Sequence, residues 1–206
     1  MDTADYRPIS LTCILSRIME KMYIRYFMYP FLQQPTVAPK LLNQFAFKPT
    51  GSTTASLIHL FDTVSTLLTT HPYVHVISLD FSKAFDTLRH ASVTTTLSTL
   101  GIADEPYNWT RCFLSNRQHA TLFDNSESSY ATINASVVQG SPTGPVNFII
   151  NMSNLSPKYS DTNRLSAYAD DCYLIVPATA SDTIPEELKH IDNWAENCNL
   201  TLNRKK

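Results

Sequence analysis

The stretch Leu165-Ser166-Ala167-Tyr168-Ala169-Asp170-Asp171-Cys172-Tyr173-Leu174-Ile175-Val176 sets two short apolar runs, 165–169 and 172–176, on either side of an acidic pair. Short apolar runs with a polar break between them read as the two strands of a hairpin. A tight hairpin turn usually takes Gly or Asn, because its backbone needs positive φ. Two aspartates there place like charges side by side at the end of an apolar ladder, and that repulsion calls for a counter-charge. The pair reads either as a polar turn that happens to be acidic or as a divalent-cation site, since hard Mg²⁺ prefers one or two carboxylates plus substrate phosphates.

A third carboxylate bears on that choice. Val74-His75-Val76-Ile77-Ser78-Leu79, bounded by Pro72, reads as a strand that runs directly into Asp80, where a charge has no packing role. If this strand lies beside the hairpin, Asp80 and Asp170 converge at one edge of a sheet. Such a cluster can hold two ions about 3.5–4 Å apart.

Helical patterns surround these strands. Leu11, Ile14, Leu15, Ile18 and Met22 recur at three and four residues, which predicts a helix over 10–29, stopped at Pro30. A second stripe, Leu57, Leu60, Phe61, Val64, Leu67 and Leu68, predicts a helix from Ser52 to just before Pro72. Further helices are expected over 90–100, closed by Gly101, and over 106–114, 146–155 and 186–198, with a last strand at Leu200-Thr201-Leu202. Between Gln118 and Val138, extended runs at 120–123 and 130–138 flank a polar cluster and predict a second hairpin. Helices and hairpins interspersed in this way indicate an α+β fold, unlike the regular alternation of a parallel sheet.

Two further segments stay open. Gln139-Gly140-Ser141-Pro142 reads either as a loop opening a helix or as a backbone that a nucleotide or template base can approach, glycine sparing a Cβ collision. Asn43-Gln44-Phe45-Ala46-Phe47-Lys48 reads either as a half-buried strand or as an arm offering Lys48 to a triphosphate.

The 206 residues suit one domain, and 43% hydrophobic with 17% charged residues fits a folded protein. Sixteen basic and eighteen acidic residues leave a net charge of −2, so no global basic field marks a nucleic-acid partner, and none is excluded. The first fifty residues carry a local excess of positive charge (Arg7, Arg17, Lys21, Arg25, Lys40 and Lys48 against Asp2, Asp5 and Glu20). Cys13, Cys112, Cys172 and Cys198 form no C-x-x-C pair, which argues against a zinc site or a disulfide framework. His71 and His75 flank Pro72 and read as loop histidines. Charges at Asp2, Asp5, Arg7, Arg17 and Glu20 interrupt any N-terminal apolar run, so an intracellular protein with no membrane partner is expected.

Taken in order, these segments resemble the reverse transcriptase domain of non-LTR retrotransposons, the long-interspersed-element type. The resemblance rests on Asp5-Tyr6-Arg7-Pro8-Ile9-Ser10-Leu11, on NQFAFKPTGSTT from Asn43, on LDFSKAFD from Leu79, on VQGSP from Val138, on YADD from Tyr168, and on Leu202-Asn203-Arg204-Lys205-Lys206. It spans nearly the whole chain. It implies a right-hand polymerase palm, an antiparallel sheet backed by helices, with partial fingers and no thumb. Residues 1–206 would form a single domain, with 1–72 on the fingers side and 73–206 the palm with a finger insertion.

The implied activity is RNA-directed DNA polymerase: two-metal nucleotidyl transfer of dNTPs onto a primer 3′-hydroxyl, with an RNA template and a DNA primer as partners. Asp80, Asp170 and Asp171 would be the catalytic and metal-binding acids, holding two Mg²⁺ ions or Mn²⁺ as a substitute. Lys48, Phe81, Phe85, Gln139 and Gly140 would bind the nucleotide, with Phe85 as a steric gate against a 2′-hydroxyl. Lys205 or Lys206 would donate a proton to pyrophosphate. Three departures stand out. Lys48 replaces the family's usual Arg and loses its planar fork. Pro49-Thr50-Gly51-Ser52 lacks a second basic residue, and Gly144 stands where Ser is commoner. A thumb or an endonuclease would come from a longer gene product. Two other readings remain: a truncated, inactive retrotransposon-derived fragment that only binds nucleic acid or a partner, and an RNA-templated RNA polymerase, against which the bulk of Phe85 argues.

Overall fold

The computed structural model describes residues 9–138 and 140–203, so the expectations for Gln139, Lys205 and Lys206, like residues 5–8 of the first motif, lie outside the described residues. In chain order, α1 (Ile14–Tyr23) passes through a π-helical turn (Ile24–Met28) into α2 (Tyr29–Leu32). After a 3₁₀ turn (Ala38–Leu41) come α3 (Thr53–Leu68), β1 (Val74–Leu79), α4 (Ala84–Thr87), α5 (His90–Leu100) and α6 (Asp104–Leu114). Four short strands follow, β2 (Gln118–His119), β3 (Leu122–Phe123), β4 (Ser126–Glu127) and β5 (Ala131–Thr132). Then come α7 (Thr143–Met152), β6 (Arg164–Tyr168), β7 (Asp171–Pro177), a second 3₁₀ turn (Ala178–Thr183) and α8 (Ile184–Asn197).

The predicted hairpin and strand join in one antiparallel sheet of order β1-β7-β6. Register runs from Val74 opposite Pro177 to Leu79 opposite Cys172, and from Arg164 opposite Ile175 to Tyr168 opposite Asp171. In the central strand β7, Cys172, Leu174, Ile175 and Val176 are fully buried. Consecutive buried residues mean that both faces of the strand are covered. On one face α3 crosses the sheet, touching both outer strands, β1 and β6. α5 packs on α6 and α7, and α7 is buried all round, with Phe148, Ile149, Ile150 and the polar Asn151 fully enclosed.

Local signals account for several boundaries. The Ser52 hydroxyl accepts from the Ala55 N–H at 3.0 Å and caps α3. Gly101 ends α5 at φ +75°, a left-handed cap that glycine adopts without steric cost. In the second hairpin, Asp124 and Asn125 both take positive φ between β3 and β4, as a two-residue turn with the twist of its strands requires. Its ladders are shorter than the sequence suggests, β2 pairing only with β5 and β3 only with β4.

Two expectations are corrected, and one point that periodicity leaves open is settled. Pro30 does not stop the first helix, because the preceding turn is π-helical: the Tyr29 N–H bonds back to the Ile24 carbonyl, and Pro30 opens α2, where an N–H is not needed. The apolar stripe of α1 is not its buried face. Ile14, Leu15, Ile18 and Met22 are exposed, whereas Glu20, Tyr23, Ile24 and Met28 are buried. Finally, Leu202 forms a single antiparallel bridge with Phe81 instead of a strand.

The buried face of the first helix makes specific anchors. Tyr23 stacks on Trp109 of α6 at 3.9 Å, and its hydroxyl donates to the Pro106 carbonyl at 2.9 Å. Burial pushes its phenol up to about 12, against the opposing effect of the Thr110 hydroxyl bonded to it. Glu20 is fully buried, and its carboxyl accepts from the Ser141 and Thr143 hydroxyls, from Ser16, and from the Thr143 N–H at 3.2 Å. It thereby caps the N-terminus of α7 and ties the loop after Gly140 to α1. Glu20→Gln puts a donor where these donors converge, leaving buried groups unmet at a cost of about 2 kcal/mol. Urea unfolding should show that loss, and an unchanged midpoint would contradict the anchoring role.

Candidate active site at the hairpin turn

The β6–β7 connection has two residues, and they are Ala169 and Asp170, because Tyr168 already pairs with Asp171. The sequence places both aspartates in the turn; the structure shifts the frame by one, with Asp171 the first residue of β7. Positive φ falls on Ala169 at +57°, a conformation that costs a residue bearing a Cβ. Across the sheet, Leu79 faces Cys172, so Asp80, the next residue, lies level with Asp171. The three acidic positions therefore meet at one edge of the sheet, although 90 residues of chain separate Asp80 from Asp170.

The side chains are arranged less simply. The Asp80 carboxylate accepts from the Asn203 side-chain amide at 2.9 Å, and its backbone carbonyl accepts from the Asn203 N–H at 2.8 Å. Both groups border a groove of about 520 Å³ between the end of β1 and the α8 residues Leu188, Lys189 and Asp192. Asp170 is half-buried and Asp171 exposed. Among the described residues, no three Asp, Glu, His or Cys side chains are gathered closely enough to hold a metal ion as they stand. The donor set is nonetheless that of a hard cation, carboxylates with no soft ligand exposed among them. The Cys172 thiol beside them is fully buried, and its pKa is raised first by burial and then by the charges of Asp170 and Asp171.

Phe85 sits on α4, half-buried, stacked on Phe148 at 4.5 Å and edge-on to Phe47 at 6.2 Å. Its carbonyl accepts from the Val137 N–H at 2.6 Å, which joins α4 to the segment around Val137. Phe81 is different. It is 2% exposed and packs edge-on against Trp194, so its ring belongs to the core and only its main chain stands beside the acids. Gly140 has φ +98°, and a Cβ there would lie 2.9 Å from the Ser10 carbonyl oxygen. Its glycine is thus required by the backbone and by the N-terminal segment, whatever else approaches it.

Lys48 does not extend into open space. Its ammonium donates to the Leu41 carbonyl at 2.9 Å and lies 5.2 Å from the Phe45 ring centre, and partial burial lowers its pKa. Gly51 closes this loop, for a Cβ would meet the Phe45 carbonyl oxygen at 1.9 Å. Residues 43–45 lie along β6: the Ala167 N–H donates to the Asn43 carbonyl, and the Phe45 N–H to that of Ala167. Between them, Gln44 is buried, and its side-chain amide engages both backbone groups of Ala169. Sequence reasoning passed over Gln44, Glu20 and Asn203. The available signal for Gln44 was one polar residue in phase with buried Ala46 in an otherwise aromatic alternation.

No helix among the described residues is long and apolar enough to cross a membrane. Comparison with known proteins gives consistent results. The probable RNA-directed DNA polymerase of transposon X-element from Drosophila melanogaster is 25% identical over 213 residues, covering 100% of this chain and 23% of that protein. The RNA-directed DNA polymerase of mobile element jockey from Drosophila funebris is 25% identical, over 98% of this chain and 23% of its own length. The chain thus spans about a quarter of these curated relatives. Among solved structures, apo telomerase from Candida tropicalis superposes with a TM-score of 0.66 at 12% identity, over 91% of this chain and 37% of that one. A form of that telomerase truncated from its C-terminal domain gives 0.67 at 12% identity, over 96% and 44%. These solved structures share the fold. The family described as reverse transcriptase (RNA-dependent DNA polymerase) matches residues 2–206, and the chain belongs to it.

Proposed function

We propose that this chain is the palm and part of the fingers of an RNA-directed DNA polymerase that extends a DNA primer on an RNA template. The observation that supports this best is the antiparallel register that sets Asp80 level with Asp171, beside the two-residue turn bearing Asp170. Residues 1–72 would lie on the fingers side and 73–206 in the palm. Asp80, Asp170 and Asp171 would hold two Mg²⁺ ions, or Mn²⁺, once the Asp80 carboxylate turns from Asn203 toward the doublet. Bound there, the ions would activate the primer hydroxyl and neutralise charge on the leaving pyrophosphate.

The other residues position and select. Phe85, backed by Phe148, would lie under the sugar and exclude a 2′-hydroxyl, favouring dNTPs. Its fixed stacking suits that role, since a gate must not yield. The loop at Gln139 and Gly140 would approach the nucleotide and the template base. Lys48 would release the Leu41 carbonyl to meet a phosphate, an exchange of a neutral acceptor for a charged one. Phe81 would contribute main chain only, and Lys205 or Lys206 would supply the proton to pyrophosphate.

Two experiments test this reading. Primer extension on a polyribonucleotide template with Mg²⁺ should incorporate dNTPs with the wild-type chain and fall to background with Asp170→Asn; equal incorporation by both would refute the metal role. Phe85→Ala should raise ribonucleotide incorporation relative to dNTPs by about 10–200-fold, the range set by one discriminated group in a pocket. Unchanged sugar discrimination in that variant would remove Phe85 from the gate.

A further inference from the structure

We infer that Gln44 is a positioning residue that holds the acid-bearing turn in its working backbone conformation. The inference rests on the reading that Asp170 and Asp171 bind divalent cations. It concerns a residue that touches neither the ions nor the substrate.

The turn needs outside help for two reasons. In a two-residue hairpin connection, the backbone groups of the turn residues lie beyond the ladder and find no partner in it. Ala169 is 6% exposed, so water cannot serve its N–H and C=O freely. Its φ of +57° is also disfavoured for any residue with a Cβ. Left alone, the connection would relax to another turn type, and the carboxylates of Asp170 and Asp171 would swing with it.

Gln44 meets both needs with one side chain. Its Oε1 accepts from the Ala169 N–H at 2.9 Å, and its Nε2 donates to the Ala169 carbonyl at 3.2 Å. The same Oε1 accepts from the Ala46 N–H at 3.0 Å, which fixes the rotamer of the amide. The main-chain bonds on either side, Ala167 N–H to Asn43 and Phe45 N–H to Ala167, bracket Gln44 at 2.8 and 2.9 Å. The clamp therefore grips from a segment already pinned to β6, so it can impose a conformation instead of following one. An amide fits this place specifically. A carboxylate would face the Ala169 carbonyl with like charge, and an ammonium would offer nothing to the Ala169 N–H.

The test uses the whole chain, with Mn²⁺ as the probe ion. Gln44→Met keeps the volume and removes both amide groups; Ala169→Gly relieves the positive φ. Amide hydrogen exchange at Ala169 reports the clamp, and Mn²⁺ titration by electron paramagnetic resonance reports its consequence. Gln44→Met should lose protection at Ala169 and bind Mn²⁺ about 10–100-fold more weakly, as removal of an outer-shell partner typically does. In an Ala169→Gly background, the same substitution should weaken Mn²⁺ several-fold less, because glycine adopts the turn without being held. This pair also guards against mere unfolding, since the double variant should recover affinity. Protection at Ala169 unchanged in Gln44→Met would overturn the clamp. Lost protection with unchanged Mn²⁺ affinity would overturn the positioning role. A wild-type chain whose Mn²⁺ binding is insensitive to Asp170→Asn would instead remove the metal reading itself, and the exchange measurement would still decide whether Gln44 holds the turn.

Discussion

The pairing of β1 with β7 is the constraint on which everything else depends. Side chains alternate across a strand, so a slip of one residue would send each of them to the opposite face. β7 cannot slip cheaply, because Cys172, Leu174, Ile175 and Val176 are close-packed on both its faces, and forcing side chains of different shape into each other's places costs about 1–3 kcal/mol. Core packing thereby sets the register, and the register sets Asp80 level with Asp171. The acidic edge is assembled by apolar residues that carry no charge themselves.

Buried polar groups then fix the turn at that edge and the loop that opens α7. Glu20 holds residues 141–143 to the first helix, and Gln44 holds Ala169 to the 43–46 segment. Both come from the N-terminal part of the chain; Gln44 ends on the turn beside the acids, and Glu20 ends on the start of α7. Such contacts add less to stability than the apolar core does, but they are directional, and a missing partner is costly. Through Gln44 the first fifty residues thus reach the acidic edge without supplying any of its carboxylates.

Much of this was legible in the sequence where local physics dominates. Val74–Leu79 is β-branched and proline-bounded, a helical stripe runs from Ser52, and Gly101 closes the helix over 90–100; each forms the element its pattern predicts. Legibility ends where long-range contacts decide. The stripe of Leu15, Ile18 and Met22 predicts a helix correctly but not which face is covered, because periodicity shows that a face is apolar and not what lies against it. Pro30 reads as a stop, yet a π-helical turn just before it removes the need for its N–H. The aspartate doublet suggests that both acids form the turn, whereas strand pairing puts Ala169 in the strained position. The ring of Phe81 goes to the core and not to the site, since its partner Trp194 lies more than a hundred residues away in sequence. Gln44 shows the same limit most sharply: its role exists only once residue 169 is folded beside it.

If folding gathers Asp80, Asp170 and Asp171 into one site for divalent cations, thermal melting with and without Mg²⁺ or Mn²⁺ will show it. An ion that binds only the folded state raises stability by RT ln(1 + [L]/Kd), about 2.7 kcal/mol at a hundred times Kd. Melting temperature should climb with cation concentration in the wild-type chain and stay flat in both Asp80→Asn and Asp170→Asn. A rise of the same size in Asp80→Asn would contradict it, for the ion would then be bound without the strand that the whole site is built upon.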